Sequence, residues 1–416
     1  MKKFKDLNRN IKLSFVFEAL QSFGRGIWMG NILSLYIVLF SERANGVFGL
    51  TSNELVGVSA GVTGIAMTAI VFPAGVLADK FRRDIILKYS GVLGILSMAL
   101  LGISSNIILI MIALFLWGAF QGLTRPAFES IIADSLPSGN RSGVYAKIHL
   151  VRQFFLAAGP LLNILLFMYF GDNWDIEILR TVMLVGVSIS LISASVLFFF
   201  KDEHSIGEAS ESIIETDDSI SNLNKNEKWI PILLVTSNVI IGMGAGMTVK
   251  FFPVFFRAIY HLSPISVQLI MAVTFIFTGI TGLLVQKFSL TRGRGQLIFA
   301  VQFFASICLV IIAYYPRLIF LLPLFVLRGS MMNAAQPLSR SILMDIIPKR
   351  NRGKWNSLET IAWGLFWNAS AVFGGFLIGD NNFKRCFLIT AGIYVIATIP
   401  ILVIIPMVRK EITQNS

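Results

Sequence analysis

Four basic side chains lie inside long apolar stretches of this sequence: Arg25, Arg152, Lys250 and Arg328. A cation near the centre of a lipid bilayer costs roughly 2.5 to 3.5 kcal/mol on insertion scales, so such residues usually face a bundle interior or a water-filled path. An opposite ligand charge would stabilise them. The excess of buried positive charge therefore favours an anionic or zwitterionic substrate, such as a carboxylate or a phosphate.

Internal pairing is the alternative explanation for these cations. Glu18 and Arg25 are seven residues apart and share a helix face. Arg125 and Glu129 are four residues apart, which is the spacing of neighbours on a helix surface. Both explanations remain open from the sequence.

Proton coupling would require a side chain that titrates within the same region. The candidates are Glu18, Glu129, His149 and Glu359. His149 lies three residues from Arg152 and on the same helix face. A lone intramembrane histidine is more often a structural hydrogen-bonding group, and that alternative is kept.

An aromatic stripe accompanies one of these carboxylates. Glu359, Trp363 and Trp367 recur every four residues, so they lie along one side of a helix. A carboxylate beside two indoles is suited to holding an organic substrate. Tryptophan stripes also serve as packing surfaces or interface anchors.

The elements that position these residues are membrane-spanning helices. The chain has 416 residues, a mean hydropathy of +0.74 and only 14% charged residues, which excludes a water-soluble globule. Apolar runs of about 20 residues are long enough to cross the bilayer as helices, whereas open strands would leave backbone groups unpaired in lipid. The predicted spans are 13–40, 54–76, 85–104, 107–134, 144–170, 180–200, 229–258, 265–286, 296–315, 318–345, 355–379 and 385–407.

The distribution of basic residues predicts the topology. With both termini on the cytoplasmic side, and with the ends of the spans counted with the adjoining loops, the inside segments carry 23 of the 35 Lys and Arg residues and the outside loops carry six. This bias follows the positive-inside rule. The net charge of +12 is therefore attributed to topology, and no nucleic-acid partner is expected.

Metal and cofactor chemistry has no support in the sequence. Three His and two Cys residues give no metal-ligand spacing, and no nucleotide-binding glycine loop is present. We therefore expect no metal, no cofactor and no enzymatic activity.

The sequence indicates that the chain consists of two related halves. An acidic polar segment, 201–228, separates residues 1–200 from residues 229–416 and is interpreted as a solvated linker. The segment RPAFESIIADSLPSGNRSG aligns with QPLSRSILMDIIPKRNRGK at a shift of 211 residues, and GVLADKF aligns with GLLVQKF at a shift of 207. The sequence thus predicts an all-α membrane protein with two parallel six-helix bundles.

The segment GVLADKFRRD, between predicted helices 2 and 3, resembles the signature of the major facilitator superfamily. Gly75, Asp79 and Arg83 match that signature, while Arg82 replaces its second glycine. The resemblance implies a loop that stabilises one transport state through ion pairs, with Gly75 allowing close helix approach. It also implies a central cavity lined by helices 1, 4, 7 and 10, which is where the four intramembrane cations would meet substrate.

Two aspartates occupy equivalent positions in the repeats. Asp134 and Asp345 are expected to act in gating, by bonding the loop arginines Arg83 and Arg141 or groups near Arg352. A simpler alternative is that they cap the loops at this end of the helices.

The predicted function is secondary active transport of a small molecule, by rocker-switch alternating access around a midplane site. A proton-coupled multidrug exporter is the alternative, because Gly159-Pro160 resembles part of an exporter motif, although Asn163 replaces its following glycine. A membrane scaffold or receptor-like protein is the alternative from another class. We expect a multi-pass monomer in the plasma membrane, with protons or another ion as coupling partner.

Overall fold

The computed structural model describes residues 7–136, 141–205, 229–347 and 349–412. In this part of the chain the regular structure is helical. The spanning-length helices are α1 (Arg9–Arg43), α2 (Ser52–Lys80), α3 (Arg83–Ile103), α4 (Ile107–Asp134), α5 (Arg141–Phe170), α6 (Ile176–Phe199), α7 (Ile230–Tyr260), α8 (Pro264–Arg292), α9 (Arg294–Ile312), α10 (Leu318–Ile346), α11 (Lys349–Ile378) and α12 (Phe383–Ile412).

Eleven of these helices are long and apolar enough to cross a bilayer within the described residues. The remaining one, α11, has a shorter described apolar part, Gly364–Ile378. The helices match the predicted spans in order. Several begin earlier than predicted because polar turns extend them beyond the apolar run: α1 starts at Arg9 and α11 at Lys349.

Local sequence signals fix several helix starts. Thr51 and Glu54 form a capping box at the beginning of α2, in which each side chain accepts a hydrogen bond from the other residue's backbone N–H. Asn106 is the N-cap of α4 and Asp175 is the N-cap of α6. Each side chain accepts a hydrogen bond from the backbone N–H two residues further along the chain. These caps satisfy N–H groups that the first helical turn leaves without partners.

Helices α1 and α7 are each interrupted near the middle. In α1, residues Trp28–Ile32 form a π-helical turn, and Asn163 of α5 donates a hydrogen bond to the Ile27 carbonyl over 3.1 Å. In α7, residues Val249–Phe251 form a 3-10 turn. Such interruptions often occur at functional sites in helices. Neither was predicted from the sequence.

A close helix contact is repeated just before each interruption. A Cβ atom added to Gly26 of α1 would lie 2.6 Å from the Leu156 carbonyl oxygen and 3.2 Å from the Gly159 Cα of α5. A Cβ atom added to Gly246 of α7, 220 positions later, would lie 2.8 Å from the Trp367 carbonyl carbon of α11. Small residues allow backbones to approach this closely in membrane proteins. Both interrupted helices therefore make a close glycine contact just before the interruption.

The chain divides into two compact units. The first comprises Met1–Glu215 and Ser263–Gln268, and the second comprises Thr216–Leu262 and Leu269–Ser416. Trp28, Trp117 and Phe120 pack ring against ring in the first unit. The second unit has a larger aromatic core, formed by Phe252, Phe255, Phe256, Phe325, Phe383 and Phe387. Most of the segment expected to act as linker, 206–228, lies outside the described residues, so its boundaries stay a prediction.

Candidate functional site

A bidentate ion pair joins α1 and α5 in the first unit. The Arg152 Nε atom lies 3.0 Å from Glu18 Oε2, and Nη2 of the same guanidinium contacts Oε1. The Glu18 side chain is only 8% exposed, whereas that of Arg152 is 42% exposed. Charge-assisted pairs with this geometry are stronger than neutral hydrogen bonds. The contact between Gly26 and Gly159 brings the two helices close enough to make the pair.

Arg25 does not pair with Glu18, so the alternative of internal pairing between these two residues does not hold. Seven residues correspond to two helical turns, or about 10.5 Å along the axis, so both charges face the same way without touching. Arg25 is half-buried, and its Nε atom has no hydrogen-bond partner among the described residues. The described side chains include no carboxylate within 4.0 Å of its guanidinium.

Five charged side chains of α1, α4 and α5 form what we call the first-unit charge cluster: Glu18, Arg25, Arg125, Glu129 and Arg152. Arg25 interacts electrostatically with Arg152, Glu18 and Arg125, and Arg152 interacts with Glu129. The Arg125 Nε atom lies 4.0 Å from Glu129 Oε1, the i, i+4 spacing noted in the sequence, and the Glu129 side chain is 49% exposed. Three cations and two carboxylates leave this cluster with one excess positive charge.

His149, another candidate for proton coupling, is exposed on α5. It makes an interaction of its own, so it is not a free group. The structure places it outside the ion pair formed by its near neighbour Arg152.

Lys250 lies in the 3-10 turn of α7, within the second unit. Its Nζ atom donates a hydrogen bond to Asn368 Oδ1 of α11 over 2.9 Å, and Asn368 Nδ2 donates to the Gly364 carbonyl over 2.9 Å. Asn368 is thus an uncharged hydrogen-bond partner of Lys250, which also makes a further interaction. The sequence analysis missed this residue, although an amide inside an apolar helix and next to Trp367 was a usable signal.

Arg328 is buried inside the second unit, with 5% of its surface exposed. Its Nη2 atom lies 3.0 Å from the Tyr394 hydroxyl, and its guanidinium carbon lies 4.7 Å from the Phe252 ring centre. A guanidinium over an aromatic ring gains electrostatic energy without a carboxylate. Phe252 and Tyr394 were not predicted as its partners. The cation is therefore stabilised within its own unit rather than in contact with lipid.

The aromatic stripe of α11, formed by Glu359, Trp363 and Trp367, lies only partly within the described residues. Trp367 is half-buried and makes contacts of its own. The side chains of Glu359 and Trp363 lie outside the described part of the chain. Their proposed roles stay predictions.

Ion pairs surround the loop between α2 and α3. The Arg83 Nη1 atom lies 2.8 Å from Asp134 Oδ2 and 3.8 Å from Asp202 Oδ1. Arg82 binds the buried Asp84 through two contacts of 3.2 Å, and Lys88 reaches the same carboxylate at 3.5 Å. The hydrogen bonds to Asp84 raise the pKa of Arg82. Asp84 therefore joins a local network of charged side chains at the start of α3.

The chain segment that follows α6 is attached to the same end of the first unit. Asn10 of α1 donates hydrogen bonds to the Lys201 carbonyl over 2.9 Å and to Ser135 Oγ over 3.2 Å. The Arg83 backbone N–H donates to Asp202 over 3.2 Å. The roles of Asn10 and Asp202 were not predicted. Nothing in the local sequence indicates contacts between residues so distant along the chain.

The sequence profile of the Major Facilitator Superfamily matches residues 19–233 and 234–416, which together cover almost the whole chain. The chain belongs to the Major Facilitator Superfamily. It is therefore a multi-pass membrane transporter of that superfamily, as the loop motif predicted.

One curated relative matches part of the chain. A Na(+), Li(+), K(+)/H(+) antiporter of Planococcus maritimus is 27% identical over 206 residues, which cover 48% of this chain and 44% of the antiporter. The match thus spans less than half of that protein.

Solved structures of superfamily transporters share the fold over nearly their full length. A bacterial homologue of the human lysosomal transporter Spinster has a TM-score of 0.71 and 14% identity, covering 97% of each chain. A D-xylose-proton symporter also has a TM-score of 0.71 and 14% identity, covering 94% of this chain and 96% of its own. The nucleoside transporter NupG has a TM-score of 0.69 and 13% identity, covering 95% and 99%. At these identities the likeness concerns the fold alone.

A Cβ atom added to Gly75 would meet no described atom within 4 Å, so the described residues make no close helix approach at this glycine. Its role in the motif stays a prediction. The side chains of four other motif or gating residues lie outside the described part: Asp79, Arg141, Asp345 and Arg352. The expected contact between Arg83 and Asp134 is present, while the gating role of these residues stays a prediction.

Proposed function

We propose that this transporter performs secondary active transport of a small organic molecule that carries an anionic group, either as an anion or as a zwitterion. Two six-helix bundles would alternate access to a site at mid-depth, with the chain termini in the cytoplasm. The charge balance of the first-unit charge cluster supports the substrate class. We place the protein in the plasma membrane as a monomer.

The observation that carries the proposal is the state of Arg25. Its guanidinium has no carboxylate within 4.0 Å in the described part of the chain, while the nearby Glu18 is already engaged by Arg152. A cation at this depth requires compensation, because burial of an unpaired charge is unfavourable. A substrate carboxylate or phosphate would supply the missing negative charge and could bind a guanidinium through two hydrogen bonds.

Lys250 offers a second cationic contact in the second unit. It lies in the 3-10 turn that interrupts α7, where its ammonium donates a hydrogen bond to Asn368 and makes a further interaction. Arg328 is less suited to direct contact, since it is 5% exposed and already bound to Tyr394. Among the described cations, we therefore assign substrate contact to Arg25, Arg152 and Lys250, and a supporting role to Arg328.

Uptake into proteoliposomes tests the proposal. The probes are radiolabelled succinate, glutamate and glycerol 3-phosphate, each measured with and without a pH gradient. We expect at least one probe to be transported, with uptake reduced about tenfold or more in R25Q. The exposed Arg43 provides a matched control, and R43Q should transport normally. Equal uptake by R25Q and the wild type would contradict the proposal.

Proton-coupled export of cationic or drug-like compounds is the second candidate function. It is favoured by the partial sequence match to a relative named as a Na(+), Li(+), K(+)/H(+) antiporter. The excess positive charge of the first-unit charge cluster argues against a cationic substrate. Proton flux in response to Na⁺, Li⁺, K⁺ or ethidium, without response to the three anions, would favour this candidate instead.

A further inference from the structure

The loops at one end of the second unit carry an excess of positive charge. Segments 257–264, 313–318 and 379–385 hold four basic residues and one carboxylate, whereas the corresponding segments of the first unit, 42–54, 104–106 and 171–180, hold two basic residues and five carboxylates. These are predicted outside loops, which are normally poor in basic residues. The excess therefore needs an explanation other than topology. The four basic residues are Arg257, Arg317, Lys384 and Arg385.

We propose that Arg317, Lys384 and Arg385 form a binding site for the headgroup of an anionic phospholipid. These three side chains are called the basic patch below. The ligand is a component of the surrounding membrane rather than the transported substrate, so the proposal goes beyond the proposed function and does not depend on it.

Two loops are held together at the basic patch. The Lys384 backbone N–H, at the start of α12, donates a hydrogen bond to the Tyr315 hydroxyl over 2.7 Å. The Lys384 ammonium lies 4.5 Å from the centre of the Tyr314 ring, a contact that stabilises a cation at an exposed site. Both tyrosines come just before Arg317 in the loop that leads into α10. The cations of the two loops are therefore brought to one place on the surface before a ligand binds.

The charges of the basic patch are not neutralised by the protein. All three side chains are exposed, and no carboxylate among the described residues lies within 4.0 Å of them. Asp380, in the loop before α12, is also exposed and forms no ion pair with the patch. Arginine can bind a phosphate through two charge-assisted hydrogen bonds, and lysine binds it as a point charge. The patch is therefore complementary in charge to a phosphate group.

An apolar surface borders the basic patch. Ile319 and Phe320, in the first turn of α10, are 73% and 62% exposed, and Tyr314 is 63% exposed. Exposed apolar residues of a spanning helix contact acyl chains, while tyrosine is typical of the membrane–water interface. A phospholipid presents a phosphate directly above its acyl chains. A headgroup with a net negative charge fits best, because the cations would repel the ammonium of a zwitterionic headgroup.

Fluorescence quenching by brominated lipids tests the assignment at the site itself. F320C is made in a C308S background, because Cys308 is less buried than Cys386, and is labelled with bimane. The protein is reconstituted in phosphatidylcholine bilayers that contain a small fraction of brominated phosphatidylglycerol or of brominated phosphatidylcholine with the same acyl chains. We expect phosphatidylglycerol to associate with this site about threefold or more tightly, and high salt to reduce the preference.

Variants of the two arginines test the role of charge. R317Q/R385Q should reduce the preference to about one, because the cations that attract the phosphate are gone. Neither arginine pairs with a described carboxylate, so the variant should fold. R317K/R385K keeps both charges and should keep most of the preference. K287Q/R292Q removes two exposed cations from the C-terminal end of α8 and should leave quenching at F320C unchanged.

A second label position controls for a general attraction of the protein to anionic lipid. I103C lies at the end of α3, is also exposed, and is followed by a loop, 104–106, without charged residues. Bimane at this position should show no preference between the two brominated lipids.

Three results would overturn the proposal. The first is an equal response of labelled F320C to both brominated lipids, and the second is a preference that R317Q/R385Q leaves intact. The third is slower anion uptake in R317Q/R385Q without any lipid preference at F320C, which would assign the basic patch to soluble anions. Because quenching requires no substrate, a failure of the anion-transport proposal would leave this test unaffected.

Discussion

Arg328 and Tyr394 lie 3.0 Å apart, nitrogen to hydroxyl oxygen, inside the second unit. The guanidinium also lies over the Phe252 ring at 4.7 Å. An arginine is thus stabilised in an apolar bundle by aromatic and hydroxyl groups. Its partners come from α7 and α12, so the contact ties three helices of the unit together.

Loss of the Tyr394 hydroxyl should destabilise the protein without changing the packing of the ring. We expect Y394F to lower the free energy of unfolding by about 1 to 2 kcal/mol, because hydrogen bonds to charged groups contribute more than neutral ones. Thermal unfolding of the purified protein measures the change. The matched control is Y169F at an exposed position, which should behave as the wild type.

The close helix contacts at Gly26 and Gly246 should not tolerate a methyl group. G26A places a Cβ atom 2.6 Å from the Leu156 carbonyl oxygen, and G246A places one 2.8 Å from the Trp367 carbonyl carbon. Both variants should unfold at lower temperature than the wild type. G279A is the control, since a Cβ there meets no described atom within 4 Å and alanine favours a helix. An equal effect of all three would show that these contacts are not limiting.

The pair of Arg83 and Asp134 should show measurable coupling. Their charged atoms lie 2.8 Å apart, and both side chains are about one-quarter to one-third exposed. A double-mutant cycle with R83Q and D134N, read by thermal unfolding, should give a coupling free energy of about 0.5 to 1 kcal/mol. The exposed pair of Arg43 and Glu177, at 4.0 Å, is the control and should give none.

The same cycle, read by uptake, tests the gating role. If Arg83 and Asp134 stabilise one transport state, both single variants should change the uptake rate. Variants that alter stability while leaving uptake intact would limit this pair to a structural role.

Asn368 should affect substrate affinity through its hydrogen bond to Lys250. N368D would place a carboxylate where Lys250 now meets a neutral oxygen at 2.9 Å, and so would add a negative charge next to the cation. We expect N368D to raise the KM for the transported anion about tenfold, as K250Q should. N333D, in which another asparagine inside a second-unit helix is changed to aspartate, serves as the control. Unchanged KM in N368D would remove Lys250 from the substrate contacts.

The sequence by itself predicted the membrane-spanning helices and the superfamily. The length and apolarity of each run predicted the spans, because a helix rising 1.5 Å per residue needs about 20 apolar residues to cross the hydrocarbon core. The GVLADKFRRD segment indicated the superfamily, and the profile match over the whole chain confirmed it. These are local properties, so a single sequence can show them.

The tertiary structure decided which charges meet. Glu18 was compatible with Arg25 by helix geometry, yet its partner is Arg152, 134 residues away, because the glycine contact between α1 and α5 brings those faces together. Asn368 and Lys250, 118 residues apart, and Arg328 with Tyr394, 66 apart, are likewise long-range pairs. Periodicity gives the face on which a side chain lies. Only the packing of helices against one another selects the residue opposite that face.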